Sequence, residues 1–554
     1  MAIRAADILV RALQQHGVER IFAVPGESYL SVLDALVETP QIQVVTTRHE
    51  GGAGFMALAD ARLSGRAGVA FVSRGPGAMN AAIAVHTAQQ DALPLVLFVG
   101  QVERPHLDMQ AFQEVDYTQV FGSMSKWTVS VSDAARLADV VATAFHRATS
   151  GIPGPVIVAL PEDMLEDMAD DMLPMVRRPA RAAASDEDLQ ALLDMITAAE
   201  RPLIVAGPLC QTEAGRAALL RVADLFGLPV ATSVRQADLI DNDHPQYAGH
   251  LAYGAPADLV QALSRSDLII AIGSRLGDVT SQGFAMPRAP LPEQPVIQIL
   301  PDADEVGRTR RLAVGIAADP ALVLKQLAAQ PPHRPDGRHI AWSRELHSVV
   351  RSLRRWDGPD DAEDGVVFGA FMREADALMA DDAVISIDAG NFGAWVQKLV
   401  RFGGGRRLVA PVSGAMGFGV PGAVSASLRF PGRQVVGFVG DGGLMMTGNE
   451  LATAVQYGAT PVLVVSDNGS YGTIRMHQER SFPGRVAMTG LVNPDFHAWA
   501  KNFGALSLKV ETAAESRAAL ETALSSGRPA VITVRTSLDF ISPTTTLAAL
   551  NRPK

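Results

Sequence analysis

Two apolar runs in this chain end on glycine-rich turns that carry an acid or an amide, and that repetition restricts the fold more than any other feature. Gln434 to Val439 (QVVGFV) leads into Gly440-Asp441-Gly442-Gly443, and Pro461 to Ser466 (PVLVVS) leads into Asp467-Asn468-Gly469-Ser470-Tyr471-Gly472-Thr473. Between them, Asn449 to Tyr457 has helical spacing and no breaker. A strand, a helix and a second strand in that order predict a right-handed crossover in a parallel sheet. Ligands collect beyond the carboxyl ends of such strands, so Asp441 and Asn468 are predicted to face one crevice. A carboxylate, an amide oxygen and a nearby backbone carbonyl are hard ligands suited to Mg²⁺, which shares its shell with phosphates. Glycines let backbone N–H groups approach those phosphates. The two turns read as a metal–diphosphate clamp, although a lone Gly-Asp-Gly would read as an acidic turn.

The same alternation fills the rest of the chain. Ile42 to Thr46, Gly68 to Ser73, Pro94 to Gly100 and Val156 to Leu160 read as buried strands, with Gly51 to Ser64 and Asn80 to Gln90 helical between them. Pro174 to Asp188, rich in Pro, Arg, Ala and Asp, reads as a linker. Leu203 to Ala206, Leu228 to Ala231, Leu268 to Ile272 and Val296 to Leu300 repeat the pattern up to the polar segment Gln330 to Arg338. The acidic run Asp357 to Asp364 leads to a third block, where Ala383 to Ile387 precedes the clamp. A chain of 554 residues outgrows one hydrophobic core. The predicted fold is α/β, with three doubly wound, mostly parallel sheets in domains spanning 1–168, 188–330 and 360–540.

Composition narrows the partners. A net charge of −11 with no block of Lys and Arg argues against nucleic acid and anionic membranes. The single cysteine, Cys210, forbids an intrachain disulfide and reads as a small buried residue. No apolar run approaches the roughly 18 residues of a membrane span, and the amphipathic N-terminus is unlike a secretion signal. A cytoplasmic protein is expected.

Gly440-Asp441-Gly442 followed by Asn468-Gly469-Ser470-Tyr471-Gly472 resembles the thiamine-diphosphate signature of the acetolactate synthase and pyruvate decarboxylase superfamily. The resemblance implies Mg²⁺ bound by Asp441, the Asn468 side chain and the Ser470 carbonyl. It departs at Asp467, where the family often has Asn. Arg48-His49-Glu50-Gly51-Gly52-Ala53 with Gly75-Pro76-Gly77-Ala78-Met79-Asn80 looks like the pyrimidine-binding half of the same superfamily. By its residues alone Glu50 is an acid favoured at a helix start. The resemblance makes it the glutamate that hydrogen-bonds the aminopyrimidine ring, with burial expected to raise its pKa and ease proton sharing. Ser413 to Gly419 resembles the segment that bends the cofactor, with Met416 beneath the thiazolium and the Gly414 carbonyl meeting the pyrimidine amine. Gly390-Asn391-Phe392 grips the diphosphate by the same resemblance, and Pro25, Asn80, Gly443, Tyr471, Gly472 and Thr473 complete the cofactor contacts. In this superfamily the cofactor spans two subunits, which implies a homodimer or homotetramer.

The substrate determinants leave alternatives open. Glu27 stands in the loop Pro25-Gly26-Glu27-Ser28, either as a second acid near the reacting carbon or as an exposed loop carboxylate. Phe112-Gln113-Glu114 with downstream Lys126 resembles the acetolactate synthase pattern, whereas His477 replaces the tryptophan those synthases carry. Arg74, in place of a small serine, either binds a substrate carboxylate or pairs with an acid. Gly417 to Gly422 spells a dinucleotide-like G-x-G-x-x-G without the acidic residue that fingerprint expects. Gly273 to Asp278 and Tyr253-Gly254 depart from the flavin-binding sequences of acetolactate synthases, so a structural central domain is favoured over one holding FAD. The resemblance implies a carboligase or decarboxylase acting on a 2-oxo acid, with catalytic residues Glu50, Glu27, Gln113 and His477. Its alternatives are a 2-hydroxyacyl or acyl-CoA-type lyase, or a sulfoacetaldehyde-type acetyltransferase. Weaker ones are a catalytically silent paralogue and a nicotinamide oxidoreductase.

Overall fold

A computed structural model describes residues 2–171, 175–331 and 335–551. Three six-stranded sheets, parallel throughout, form three α/β domains in chain order. With strands numbered within each sheet by chain order, the first and third sheets both run 2-1-3-4-6-5, and the central sheet runs 3-2-1-4-5-6. The likeness of the first and third blocks, too coarse to see as a sequence repeat, is thus complete at the level of strand order. The predicted crossover is present: Val435–Gly440 and Val462–Asp467 pair in parallel, connected by the helices Asp441–Thr447 and Leu451–Tyr457.

Several strands lie outside the predicted set. Arg20–Ala23 occupies an interior position of the first sheet, and Ala530–Arg535 an interior position of the third. Trp127–Ser130, Tyr247–His250, Val314–Ala317, Arg407–Val409 and Leu506–Val510 supply five of the six edges. The sixth is Gln43–Thr46, predicted as a buried strand but partly exposed because it has a neighbour on one side only. The predicted linker gives up its last residues to the helix Asp186–Ala198, whose start Ser185 caps by accepting the Asp188 N–H. Pro174 lies outside the described residues. The polar segment at 330–338 likewise ends in a helix, Gly337–Leu353, capped by Asp336. Cys210 is fully buried, and burial pushes its thiol pKa up to about 12. Among the described residues no helix is long and apolar enough to cross a membrane.

Two junctions fix how the domains meet. The helix Glu50–Ser64 is buried on nearly every face, as befits a helix with layers on both sides. Its small residues allow close approach to neighbouring helices: a Cβ on Gly54 would stand 2.3 Å from that of Ala84. On the other side lies the third-domain helix Gly419–Arg429, whose Ser425 hydroxyl donates to the Met56 carbonyl at 2.8 Å. The second junction is Asp238 of the central domain, whose side chain has no exposure. It meets Arg216 of its own domain at 2.6 Å, Arg62 of the first at 3.5 Å and Arg407 of the third at 3.4 Å. Burial alone would raise its pKa, but Arg216, Arg62 and Arg407 hold it well below the usual carboxylate range. Removing one partner of such a buried network leaves uncompensated charge. Asp238→Ala is therefore expected to cost about 3–5 kcal/mol, read as an earlier urea midpoint.

Candidate active site

The carboxyl ends of the third sheet bring the clamp residues together. Asp441 opens its helix directly after Gly440, and Asn468 follows the neighbouring strand. The Ser470 N–H donates to Asp441 Oδ2 at 3.2 Å and to Asn468 Oδ1 at 3.0 Å, so the three proposed metal ligands share one corner. Asp441 is buried, and burial pushes its pKa up to about 6 against hydrogen bonds from Asn493, Gly442 and Ser470. Among the described residues neither Asp441 nor Asp467 forms an ion pair with Arg, Lys or His. Two carboxylates at adjacent strand ends without a cationic side chain, beside an amide oxygen, fit a hard divalent cation.

The glycines around this corner are sterically required. A Cβ on Gly442 would stand 2.5 Å from the Tyr471 ring and 3.4 Å from the Met416 methyl. One on Gly443 would strike Asp388 Oδ2 at 2.8 Å. Met416 thus packs over the Gly-Asp-Gly turn, while Gly414 lies exposed with φ 69° and open space beside it. Gly390, at φ 153°, has the Phe392 ring against it, and Asn391 donates to the Gly472 carbonyl at 3.3 Å. Thr473 and His477 lie on the helix Gly472–Ser481, His477 exposed.

The first sheet presents the other predicted residues at its own carboxyl edge. Glu50 begins its helix one residue after His49, whose ring accepts the Gly51 N–H at 3.0 Å. Asn80 donates to Glu50 Oε2 at 2.8 Å. Contrary to expectation, Glu50 is half-buried rather than buried in the single chain, because it stands at the open mouth of its helix. Pro25 is exposed in its loop and Glu27 at the start of the short 3₁₀ helix Glu27–Tyr29. Arg74 pairs with two acids, meeting Glu162 at 2.6 Å and Glu27 at 3.5 Å. Gln113, at φ 66°, contributes its carbonyl, which accepts the Gly75 N–H at 3.0 Å. Lys126 lies elsewhere: its N–H meets the Pro155 carbonyl, and its ammonium the carbonyls of Ser150 and Ile152, at the amino end of the sheet.

Four residues not predicted organise this site. Asp388, fully buried after the strand Val384–Ile387, accepts the N–H groups of Gly417 at 2.9 Å and Gly419 at 3.2 Å. Asp91 accepts those of Val412 at 2.9 Å and Ser413 at 3.1 Å, so the Met416 loop is held at both ends. Burial pushes both carboxyls up to about 6. Glu450, fully buried, accepts the N–H groups of Arg48 and His49, each at 3.0 Å, and so fixes the residues that precede Glu50. Asn493 donates to Asp441 Oδ2 at 2.9 Å and Asp467 Oδ1 at 2.8 Å. Asp388 ends an apolar run just as Asp441 does, so the same sequence signal could have found it. Asn493 stands in an aperiodic loop that carries no such signal.

A separate cavity of ≈ 490 Å³ opens at the carboxyl edge of the central sheet, between Ser274, Arg275, Thr280 and Arg308 on one side and His86 and Gln90 on the other.

Comparison with known proteins agrees with this geometry. Residues 3–120 match the N-terminal TPP binding domain of thiamine pyrophosphate enzymes, 189–327 their central domain and 388–534 their C-terminal TPP binding domain. The chain is 31% identical to the acetolactate synthase large subunit of Parasynechococcus marenigrum (strain WH8102), over 96% of this chain and 87% of that one. It is 30% identical to the acetolactate synthase isozyme 1 large subunit of Escherichia coli (strain K12), covering 96% and 93%. Acetolactate synthase 1, chloroplastic, of Oryza sativa subsp. japonica is 31% identical, with 96% and 84% covered. The chain belongs to the thiamine pyrophosphate enzymes that make and break carbon–carbon bonds, on their acetolactate synthase-like branch.

Proposed function

We propose that this enzyme is a thiamine diphosphate- and Mg²⁺-dependent carboligase or decarboxylase of the acetolactate synthase type, acting on a 2-oxo acid. The observation that carries the reading is the buried Asp441 carboxylate, without a cationic partner and beside Asn468 and Ser470 at adjacent strand ends. In this reading residues 1–168 bind the pyrimidine, 188–330 form the central domain and 360–540 bind the diphosphate. Bound thiamine diphosphate supplies an electron sink for cleavage beside a carbonyl.

The chain's own groups do the rest. Asp441, Asn468 and the Ser470 carbonyl hold the metal, while Gly390, Asn391, Phe392, Gly440, Gly442, Gly443, Tyr471, Gly472 and Thr473 form the cradle around the diphosphate. Met416 and Gly414 orient the two rings, and the Asp91 and Asp388 contacts keep their loop in place. Glu50 holds a proton at its carboxylate, oriented by Asn80. Pro25, Glu27, Gln113 and His477 stand around the reacting carbon, with Arg74 tethering Glu27.

The two halves meet between subunits in this reading. Met79 and Ile83 are exposed one turn apart beside Asn80, and Met445 and Met446 are exposed beside Asp441. Apolar surface on both edges supports burial against a second copy. A homodimer or homotetramer in the cytoplasm is proposed.

His477, exposed where acetolactate synthases carry tryptophan, favours the second reading, a lyase or sulfoacetaldehyde-type acetyltransferase. Incubation with thiamine diphosphate, Mg²⁺ and a panel of 2-oxo acids, followed by mass spectrometry of cofactor adducts and products, tests both. Adducts with a 2-oxo acid and release of CO₂ are expected. Adducts formed only from hydroxyacyl or sulfonated substrates would replace the first reading by the second.

Ser274 to Asp278, within the stretch that departs from flavin-binding sequences, lines the central cavity. A structural central domain is proposed over one holding FAD, and a purified protein without flavin absorption is expected.

A further inference from the structure

We infer that Asn493 is the positioning residue that allows this chain to carry a second carboxylate, Asp467, beside the metal ligand Asp441, and that the bridged pair sets the affinity for the divalent cation. The inference rests on the functional reading above.

Asp467 ends the strand Val462–Asp467, and Asp441 follows the adjacent strand Val435–Gly440. The two strands pair in parallel with Gly440 opposite Ser466, so the acids come out side by side. Like charges so placed repel each other, most strongly where water is excluded. Here two carboxylate oxygens meet at one nitrogen: Asn493 Nδ2 lies 2.9 Å from Asp441 Oδ2 and 2.8 Å from Asp467 Oδ1. An amide nitrogen has two hydrogens, one for each acid. The other Asp441 oxygen accepts the Gly442 N–H at 2.8 Å. The carboxylate is therefore fixed in rotation.

Asn493 reaches this position because its loop is sewn to the Asn468 turn. The Leu491 N–H donates to the Gly469 carbonyl at 2.8 Å, and the Tyr471 N–H to the Thr489 carbonyl at 2.9 Å. The Ser470 hydroxyl also donates to the Thr489 carbonyl, at 2.9 Å. One loop thus carries the amide that orients one ligand while being fastened to the turn that carries the other two. Outer groups of this kind fix the orientation and basicity of metal ligands, and their loss typically costs about 10–100-fold in metal affinity.

A purely structural role for Asn493 predicts something different. Its loss would then loosen the loop, and the cost would be the same whatever stands at position 467. If Asn493 instead screens one carboxylate from the other, its importance depends on the charge of Asp467.

Equilibrium dialysis of the full-length protein against thiamine diphosphate over a range of Mg²⁺ concentrations separates these cases. The Mg²⁺ concentration that gives half-maximal cofactor retention is the quantity read. Asn493→Ala is expected to raise it about 10–100-fold, with retention recovering at saturating Mg²⁺. In an Asp467→Asn background, the same substitution is expected to raise it by a smaller factor. An unchanged midpoint, or an equal factor in both backgrounds, would overturn the inference. Should Asn493→Ala not fold, Asn493→Ser, with one donor on a shorter arm, allows the same comparison. Wild-type protein that retains no thiamine diphosphate at any Mg²⁺ concentration would overturn the functional reading, and the inference with it.

Discussion

Glu50→Gln is expected to keep thiamine diphosphate and Mg²⁺ bound while slowing turnover by about 10²–10⁴-fold, the range that a positioned acid–base group contributes. The substitution preserves shape, so the helix start and its contacts survive. Asn80 can still hydrogen-bond the side-chain oxygen at 50. The His49 cap and the Glu450 contacts with the Arg48 and His49 N–H groups do not involve the Glu50 side chain. What disappears is the capacity to hold and release a proton at that oxygen. The measurement that isolates this step is hydrogen–deuterium exchange of the cofactor's thiazolium proton by NMR. An exchange rate equal to wild type would remove Glu50 from the proton path and leave it as the helix-start acid that its position alone suggests.

The second large effect is expected at the opposite end of the cofactor. Asp441→Ala should abolish Mg²⁺-dependent retention of thiamine diphosphate, a loss beyond the roughly 100-fold upper range for outer groups around a metal. Three interactions converge on this carboxylate, from Gly442, Ser470 and Asn493, and all leave with it. Nearby Asp467 has its Oδ1 engaged by the Asn493 amide at 2.8 Å. Cofactor content after exhaustive dialysis reads the result. A variant that keeps its full complement would show that the cation is held elsewhere, and the clamp assignment would fall.

Most of the legible strands are buried on both faces, the edge strand Gln43–Thr46 being an exception. Val435–Gly440, Val462–Asp467, Gly68–Ser73 and Leu95–Gln101 are continuous apolar runs because helices cover both sides of a parallel sheet. Trp127–Ser130 and Leu506–Val510 are edge strands with partial exposure, so their composition is mixed. Arg20–Ala23 is interior but only four residues long and starts on a charge, which hides it. Ala530–Arg535 is nearly as apolar as its neighbours and was readable by the same rule.

In the site, the legible residues were those attached to strand ends, because secondary structure alone determines where Asp441, Asn468 and Glu50 emerge. Asn493 and Glu450 act through chain segments that return from a distance. Their partners lie 26 and 402 positions away, at Asp467 and Arg48. Lys126 shows the converse, that closeness in sequence need not mean closeness in space. It is near Gln113 in sequence, yet it precedes a new strand at the amino edge and leaves the site behind.

Asp238 also bears on how such a protein can be recombined. A central unit excised at its flanking linkers would retain Arg216 but lose Arg62 and Arg407, and its acid would stand against one guanidinium in place of three. Chimaeras that exchange this middle third keep the cluster only where the incoming unit supplies an acid at 238 to meet Arg62 and Arg407. The unit is therefore no free-standing cassette, because its buried acid is neutralised by arginines from all three domains.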